Sequence, residues 1–254
     1  MRKGGWETSR LFYDLFYSLE NSFVFRKKWL SLHYKAYKNR MDNDVFEPIS
    51  QRSRGAEGEE NCRIKEVADE LYRRCCLYEE ELREGKDNVR PSEVERRIAE
   101  AYAQEKGLWL PISQVFALGT PGPSGNENDT YVSDDIIYKV NNLLNSRGSV
   151  IRLCHKVLLH NMLFVETAYA LHGFTGFPGS SIMPIFKQSL VKDATPATMI
   201  EIATYMAALG FCSTPTNGRY TNGEIEVWDL LPRNVLKDDE GDIFVIDAEI
   251  RLIG

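Results

Sequence analysis

Apolar residues in the first hundred positions recur at steps of three and four, the spacing of helices that bury one face. Helices are predicted over residues 11–40, 64–82 and 92–107. In the third, Ser92 is expected to cap the helix, with Glu95 as its reciprocal partner in a capping box. The polar stretch 47–60, with its proline and glycines, is predicted to be a loop. The first part of the chain is therefore predicted to be helical.

From Gln114 onward the pattern changes to short β-branched and aromatic runs separated by Gly, Asn and Asp, which is typical of strands. Strands are predicted over residues 114–118, 130–133, 136–141, 164–171 and 182–188, with a helix over 149–163. A further helix is expected to begin with Thr195 as N-cap and Pro196 in its first turn, and to end at Gly210. The sequence thus predicts an α+β protein, with a helical region over 1–105 and a second domain over 106–254.

Composition narrows the class of protein. The net charge of −6 and the pI near 5.4 argue against a general basic nucleic-acid binder. Five cysteines without zinc-ligand spacing favour reduced thiols in a cytoplasmic protein. The apolar stretch 11–24 is interrupted by Asp14, Glu20 and Asn21, so neither a membrane span nor a membrane partner is expected.

A local exception to the acidic charge is the run 26–40, which contains basic and aromatic residues and no acid. It allows two interpretations: a surface for nucleic acid or an acidic partner, or a solvated helix face with aromatic residues packed beneath it. The second is the default interpretation, because charge runs usually serve solvation.

The densest chemical signal is V-W-D-L-L-P-R-N-V-L-K-D-D-E-G-D-I-F-V-I-D-A-E, from Val227 to Glu249. Asp229 is followed five positions later by Asn234, and Asp247 lies 13 positions beyond the asparagine. Two apolar runs between Asn234 and Asp247 flank an acidic turn with glycine, the pattern of a β-hairpin. Such a hairpin would bring the three polar side chains to one edge. The segment resembles the catalytic loop D-x-x-x-x-N and the metal-binding aspartate of protein kinases.

Phosphoryl transfer needs charge neutralisation and alignment of the attacking hydroxyl more than covalent chemistry by the protein. The resemblance implies that Asp229 accepts or orients the hydroxyl proton. It also implies that Asn234 and Asp247 bind Mg²⁺, which prefers such oxygen ligands together with phosphate oxygens. ATP and Mg²⁺ are the implied cofactors. The alternative is an ordinary acidic hairpin with a surface asparagine.

Upstream residues extend the resemblance. Lys139 in I-I-Y-K-V matches the strand lysine that holds nucleotide phosphates in kinases, and is a catalytic and cofactor-binding candidate. Gly122 and Gly125 belong to G-x-x-G-x-x-G, the glycine-rich candidate for a phosphate-covering loop. Its spacing departs from the kinase pattern G-x-G-x-x-G. A simple linker between strands is the alternative for this segment.

The other cofactor-binding candidates have weaker signals. Kinases pair the strand lysine with a glutamate on the following helix, but the predicted helix 149–163 contains no acid. Glu166, just beyond it, is the nearest candidate. Gln188 and Leu190 lie where backbone groups of a kinase hinge would bind adenine.

The segments N-D-T-Y-V, I-I-Y-K-V, L-L-H-N-M-L-F and D-L-L-P-R-N-V-L resemble the reduced kinase-like domains of polyvalent proteins of phages and mobile elements, over about residues 95–254. The resemblance implies a protein-kinase-like fold with a β-rich N-lobe over about 110–188 and a reduced C-lobe over about 189–254. Seven residues follow Asp247, too few for an activation segment. We therefore hypothesise that the helices within residues 6–88 pack against the C-lobe and complete its helical layer.

Three functions remain open at this point. The first is an ATP- and Mg²⁺-dependent phosphotransferase acting on an unidentified hydroxyl-bearing substrate. The second is a pseudokinase or nucleotide-binding interaction module without turnover. The third and weakest is a nucleic-acid-associated protein that uses the basic run 26–40. Stabilisation by ATP with Mg²⁺ separates the first two from the third, and ATP hydrolysis separates the first from the second.

Overall fold

A computed structural model of the protein describes residues 56–82 and 91–253. These residues belong to one compact unit, which spans residues 55–254. The predicted helix over 11–40 and its basic run lie outside the described residues. Within them the architecture is mixed α+β with antiparallel sheets, which confirms the predicted fold class.

The helices of the described residues bury one face each. They are α1 (Ala56–Leu82), α2 (Pro91–Glu105), α3 (Ile112–Val115), α4 (Val150–Leu163), a 3₁₀ turn over Val165–Thr167, and α5 (Met199–Ala208). Helices α1 and α4 confirm the predictions made from the apolar stripes. Ser149 caps α4, because its hydroxyl accepts from the Arg152 N–H at 3.2 Å. None of the described helices is both long and apolar enough to cross a bilayer.

The largest sheet has five strands in the order β1-β2-β3-β5-β4, with antiparallel neighbours throughout. The strands are β1 (Thr120–Pro121), β2 (Asn128–Ser133), β3 (Ile136–Asn141), β4 (Ala170–Thr175) and β5 (Met183–Ser189). Strand β3 is central, so Lys139 has Thr130 as its neighbour on one side and Phe186 on the other.

Two smaller antiparallel sheets, β11-β10-β6 and β12-β9-β8-β7, are built from the second half of the described residues. Their strands are β6 (Thr195–Pro196), β7 (Cys212–Ser213), β8 (Tyr220–Thr221), β9 (Ile225–Trp228), β10 (Val235–Lys237), β11 (Ile243–Val245) and β12 (Glu249–Leu252). The predicted hairpin is confirmed as β10 paired with β11. These strands and α5 enclose a core that includes Ile202, Met206, Val227, Leu230 and Val235.

Helices α1 and α2 cover α4 and the edge strand β4. Asn161 links α4 to α1 and to the residue before β4. Its Nδ2 donates to Asn61 Oδ1 on α1 and to the Tyr169 carbonyl oxygen, both at 2.7 Å. We expected the helices within residues 6–88 to pack against the reduced C-lobe, over about residues 189–254, and to complete its helical layer. For residues 56–82 that expectation is wrong, because the apolar stripe of α1 is buried mainly against α4 and β4.

The carboxylate of Glu95 caps a helix other than its own. It accepts from the Ser149 hydroxyl and from the Ile151 N–H, both at 3.0 Å, at the start of α4. The predicted capping box of Ser92 with Glu95 is therefore wrong. Helix α2 already begins at Pro91, so Ser92 lies inside it. The Glu95 carboxylate instead satisfies free N–H groups at the start of α4, which stabilises that helix.

The start of α5 also differs from the prediction. Thr195 and Pro196 form strand β6 and pair with β10. The helix begins three residues later, where Thr198 and Glu201 make the full capping box. Glu201 also pairs with Lys237 of β10 at 2.6 Å. The reciprocal cap of Thr198 with Glu201 and the Glu201–Lys237 ion pair thus favour a helix start at Thr198 over the single cap that Thr195 would offer.

Three further boundaries were wrong. Residues 112–115 form one helical turn in place of the strand predicted over 114–118, because a single turn is too short to show helical periodicity. The strand predicted over 164–171 begins at Ala170, after the 3₁₀ turn. Helix α1 begins at Ala56, inside the loop predicted over 47–60.

Candidate active site

The loop after β9 holds Asp229 in a left-handed backbone conformation, with φ of 61°. Asn234 secures this loop, because its Nδ2 donates to the Asp229 carbonyl oxygen at 2.8 Å and to Asp229 Oδ2 at 2.9 Å. The Arg233 guanidinium pairs with the other carboxylate oxygen, Oδ1. A left-handed aspartate persists where its surroundings hold it, as is common at functional sites. The carboxylate is thus oriented by two neighbours while its side chain stays 38% exposed.

The β10–β11 hairpin returns Asp247 to the same loop. Val235 pairs with Val245. Just beyond that pair, the Asn234 carbonyl oxygen accepts from the Ile246 N–H at 2.9 Å and from the Asp247 N–H at 3.4 Å. Asn234 therefore contacts Asp229 through its side chain and Asp247 through its backbone. The structure brings the three predicted residues together.

Lys139 lies buried in the middle of β3. Its Nζ donates to the Tyr169 hydroxyl at 2.9 Å and to the Ile246 carbonyl oxygen at 2.7 Å. The Tyr169 hydroxyl donates to that same carbonyl oxygen at 2.9 Å. Since Ile246 directly precedes Asp247, the lysine is fixed to the backbone that carries the aspartate. Burial lowers the pKa of Lys139, and the Asp247 carboxylate opposes that shift.

A pocket with both apolar and polar lining lies where β3, α4 and the Asp247 loop meet. Its polar lining residues are Asn128, Lys139, Asn141, Lys156, His160, Tyr169 and Asp247. Two ammonium groups and one carboxylate thus face one cavity. This set complements an anionic ligand that brings a divalent cation with it, because the lysines attract phosphate oxygens and the carboxylate attracts the cation.

A family model described as a serine/threonine/tyrosine kinase found in polyvalent proteins matches residues 92–253. The match covers more than half of the chain and contains Lys139, Asp229, Asn234 and Asp247. The chain belongs to this family. The predicted resemblance to the kinase-like domains of polyvalent proteins is thereby confirmed, and the domain is of the kinase-like transferase class. No curated protein and no solved structure matches the chain.

The helix glutamate of kinases has no counterpart at Glu166 in this kinase-like domain. Helix α4 ends at Leu163, and Glu166 is exposed on the 3₁₀ turn. Lys139 bonds to Tyr169 and Ile246, with no carboxylate in hydrogen-bond contact among the described residues. The structure therefore does not bring Glu166 to the lysine.

The predicted adenine-binding segment is engaged in internal hydrogen bonds. Gln188 is buried, and its Nε2 donates to the Thr167 carbonyl oxygen. The Leu190 N–H donates to the Asp135 carbonyl oxygen at 2.8 Å. The side chain of Gln188 and the N–H of Leu190 thus already have partners within the protein.

The two candidate glycines have different surroundings. The Gly122 N–H donates to the Thr130 carbonyl oxygen at 2.9 Å, and a Cβ at Gly122 would lie 2.7 Å from Thr130 Oγ1. Glycine at this position therefore allows the loop to lie against β2. The Gly125 N–H donates to the Asn128 carbonyl oxygen at 3.0 Å, and an added Cβ there would meet nothing within 4 Å.

A group of charged residues beside the pocket was not predicted from the sequence. Lys156 Nζ on α4 lies 3.1 Å from Glu127 Oε2 and 2.8 Å from Glu249 Oε1. Burial lowers the pKa of Lys156, but the neighbouring carboxylates, Glu249 foremost, outweigh burial and raise it above its ordinary value. The sequence signal that could have indicated this group was Lys156, a charged residue on the helix where a glutamate was expected.

His160 provides a pH-dependent part of the stability. It is buried between Phe164 and Tyr169, and its Nε2 lies 3.1 Å from the Thr167 carbonyl oxygen. Burial, together with the nearby Lys139 charge, lowers the pKa of His160 from 6.5 to about 3. The neutral form is therefore favoured in the folded state, and its stabilisation is complete above pH 6.5 and is lost as the pH falls toward 3.

We expect the free energy of unfolding to fall by about 2 kcal/mol more in the wild type than in a His160→Gln variant between about pH 7 and pH 5. Glutamine keeps a hydrogen-bond donor but does not titrate. Urea denaturation at both pH values measures the difference. Parallel losses in the two proteins would show that His160 does not carry this pH dependence.

Proposed function

We propose that this member of the polyvalent-protein kinase family is an ATP- and Mg²⁺-dependent phosphotransferase that acts on a hydroxyl-bearing substrate. The observation that carries the proposal is the convergence of Asp229, Asn234 and Asp247 at one hairpin, with Lys139 bound to the backbone next to Asp247. In this proposal the five-stranded sheet and α4 form the N-lobe, over about residues 110–188. The two small sheets and α5 form a reduced C-lobe, over about 189–254.

The polar groups present fit bound Mg·ATP. Lys139, Lys156, Asp247, Glu127 and Glu249 together carry two formal positive and three formal negative charges. A bare triphosphate would be repelled by the excess carboxylate, whereas a divalent cation offsets it. Among the described residues no cluster of three His, Cys, Asp or Glu forms a metal site by itself. Mg²⁺ characteristically binds to one or two protein oxygens together with phosphate oxygens.

Bound Mg·ATP would supply the phosphoryl group to be transferred. Asp229, oriented by Arg233 and Asn234, would align the acceptor hydroxyl and take its proton. The Asn234 amide donates its hydrogens to Asp229, which leaves Oδ1 as the atom that would bind the metal together with the Asp247 carboxylate. Lys139 would bring positive charge to the phosphates. For adenine we propose the Gln188–Leu190 backbone, with carbonyl oxygens as its acceptors because the Leu190 N–H already has a partner.

A pseudokinase or nucleotide-binding module without turnover is the second candidate. It is favoured by Lys139, whose ammonium hydrogen bonds go to Tyr169 and Ile246 and to no carboxylate among the described residues. A measurement of ATP hydrolysis, after binding is established, separates the two candidates.

We expect ATP with Mg²⁺ to stabilise the protein, and ATP without Mg²⁺ to do so much less. At a concentration about 100 times the Kd the gain is about 2.7 kcal/mol. Differential scanning fluorimetry with ATP, ATP plus EDTA, and Mg²⁺ alone measures the effect. An unchanged melting temperature with Mg·ATP would contradict nucleotide binding, and equal shifts with and without Mg²⁺ would contradict the metal site.

A further inference from the structure

Lys156 joins two segments beside the pocket, the residue before β2 and the start of β12. Its side chain is 14% exposed and pairs with Glu127 and Glu249, whose side chains are 7% and 17% exposed. Asn145 supports the same arrangement, because its Nδ2 donates to Glu127 Oε2 at 2.9 Å and to Glu249 Oε1 at 2.7 Å. We call Glu127, Lys156 and Glu249 the lysine bridge.

One end of the lysine bridge lies just after the candidate phosphate-covering loop. Glu127 directly precedes β2 and follows the segment that contains Gly122 and Gly125. Its carbonyl oxygen accepts from the Asn142 N–H at 2.9 Å. Its Oε1 is buried without a hydrogen-bond partner among the described residues, so the carboxylate depends on Lys156 and Asn145 through Oε2.

The other end lies between the two catalytic segments. Glu249 is two residues beyond Asp247 and opens β12. Its partner across the sheet is Trp228, the residue before Asp229. A displacement of Glu249 would therefore move the backbone near both aspartates.

We propose that Lys156 is the positioning residue of this site, and that it holds the phosphate-covering loop and the Asp247 segment in place through Glu127 and Glu249. The inference rests on the proposed phosphotransferase function. Lys156 and the carboxylates of Glu127 and Glu249 would thus hold the site in place. From the resemblance to kinases, a glutamate on the helix after β3 was expected to have this role. Removing the lysine leaves two poorly solvated carboxylates facing each other, and their repulsion separates the two segments.

The test compares the wild type with Lys156→Met and Lys156→Arg. We expect Lys156→Met to lower kcat by about 100-fold, because small displacements of catalytic groups have effects of this size. The Mg²⁺ concentration for half-maximal rate should rise by about tenfold, since Asp247 moves. Lys156→Arg should retain the rate within about threefold, because arginine also pairs with two carboxylates. Lys65→Met, which removes a half-buried ion pair with Asp69 on α1, is the control and should leave the rate and the Mg²⁺ dependence unchanged.

A second variant keeps the test valid if Lys156→Met does not fold. Glu249→Gln retains an oxygen for Asn145 and leaves Lys156 paired with Glu127. Like Lys156→Met, it should raise the Mg²⁺ concentration for half-maximal rate. It should lower the melting temperature of the ligand-free protein by no more than a few degrees.

The outcomes separate the two proposals. A wild type that turns over ATP, with unchanged kcat and Mg²⁺ dependence in Lys156→Met or in Glu249→Gln, would overturn the inference alone. A rate lost in Lys156→Arg as fully as in Lys156→Met would also overturn it. A wild type without Mg²⁺-dependent ATP binding or turnover would overturn the phosphotransferase proposal, and the inference with it.

Discussion

An Asp229→Asn variant is expected to lose phosphotransfer by about 10²- to 10⁴-fold, the range associated with a general base. Asparagine keeps one side-chain oxygen for the Arg233 guanidinium, and the Asn234 amide still donates to the backbone carbonyl oxygen of residue 229, so the loop should keep its shape. It cannot accept the proton of the acceptor hydroxyl. The rate should therefore fall while stabilisation by Mg·ATP is preserved, and single-turnover kinetics together with scanning fluorimetry measure the two effects.

The matched control for Asp229→Asn is Asp134→Asn. Asp134 is also an aspartate with positive φ, but it is exposed in the turn between β2 and β3. Its replacement should leave the rate unchanged. An Asp229→Asn protein that binds Mg·ATP and keeps the wild-type rate would exclude Asp229 as the base and would favour turnover by another group.

The grouping of Asp229, Asn234 and Asp247 could be predicted from the sequence because their contacts are short in range. Asn234 and Asp247 flank the β10–β11 hairpin, whose turn chemistry determines their register, and Asp229 lies five residues before Asn234. Lys139 could be predicted for a similar reason, since the β-branched and aromatic residues around it in β3 indicate a strand within the sheet. In each case the local pattern and the tertiary structure agree.

The lysine bridge could not be predicted in this way. Glu127 and Glu249 are distant from Lys156 along the chain, and nothing in the local pattern of α4 indicates which loops its lysine will meet. The two helix caps were predicted wrongly for the same reason. Glu95 and Thr195 have the residue types of local caps, but a neighbouring helix and a neighbouring strand, respectively, determine their contacts. Long-range packing outweighs local propensity at these positions.

A Lys139→Met variant is expected to lose activity without losing stability. The lysine is a buried cation that has no carboxylate among its hydrogen-bond partners in the described residues, so its desolvation is only partly offset. Methionine has a similar volume and no charge. Its introduction leaves no orphaned acceptor, because the Ile246 carbonyl oxygen still accepts from the Tyr169 hydroxyl. The free energy of unfolding of the ligand-free protein should therefore stay the same or rise by up to about 2 kcal/mol.

Phosphotransfer by the same variant should fall by at least about 100-fold, and most of the stabilisation by Mg·ATP should disappear, because one of the two ammonium groups of the pocket is gone. Lys187→Met on the neighbouring strand β5 is the control, since Lys187 is not among the residues that line the pocket. Urea denaturation and scanning fluorimetry measure both properties. A destabilised Lys139→Met protein that still responds to Mg·ATP would identify the lysine as a structural residue. A stable protein that no longer responds to Mg·ATP would show that the buried charge of Lys139 is not needed for stability but is required for nucleotide binding.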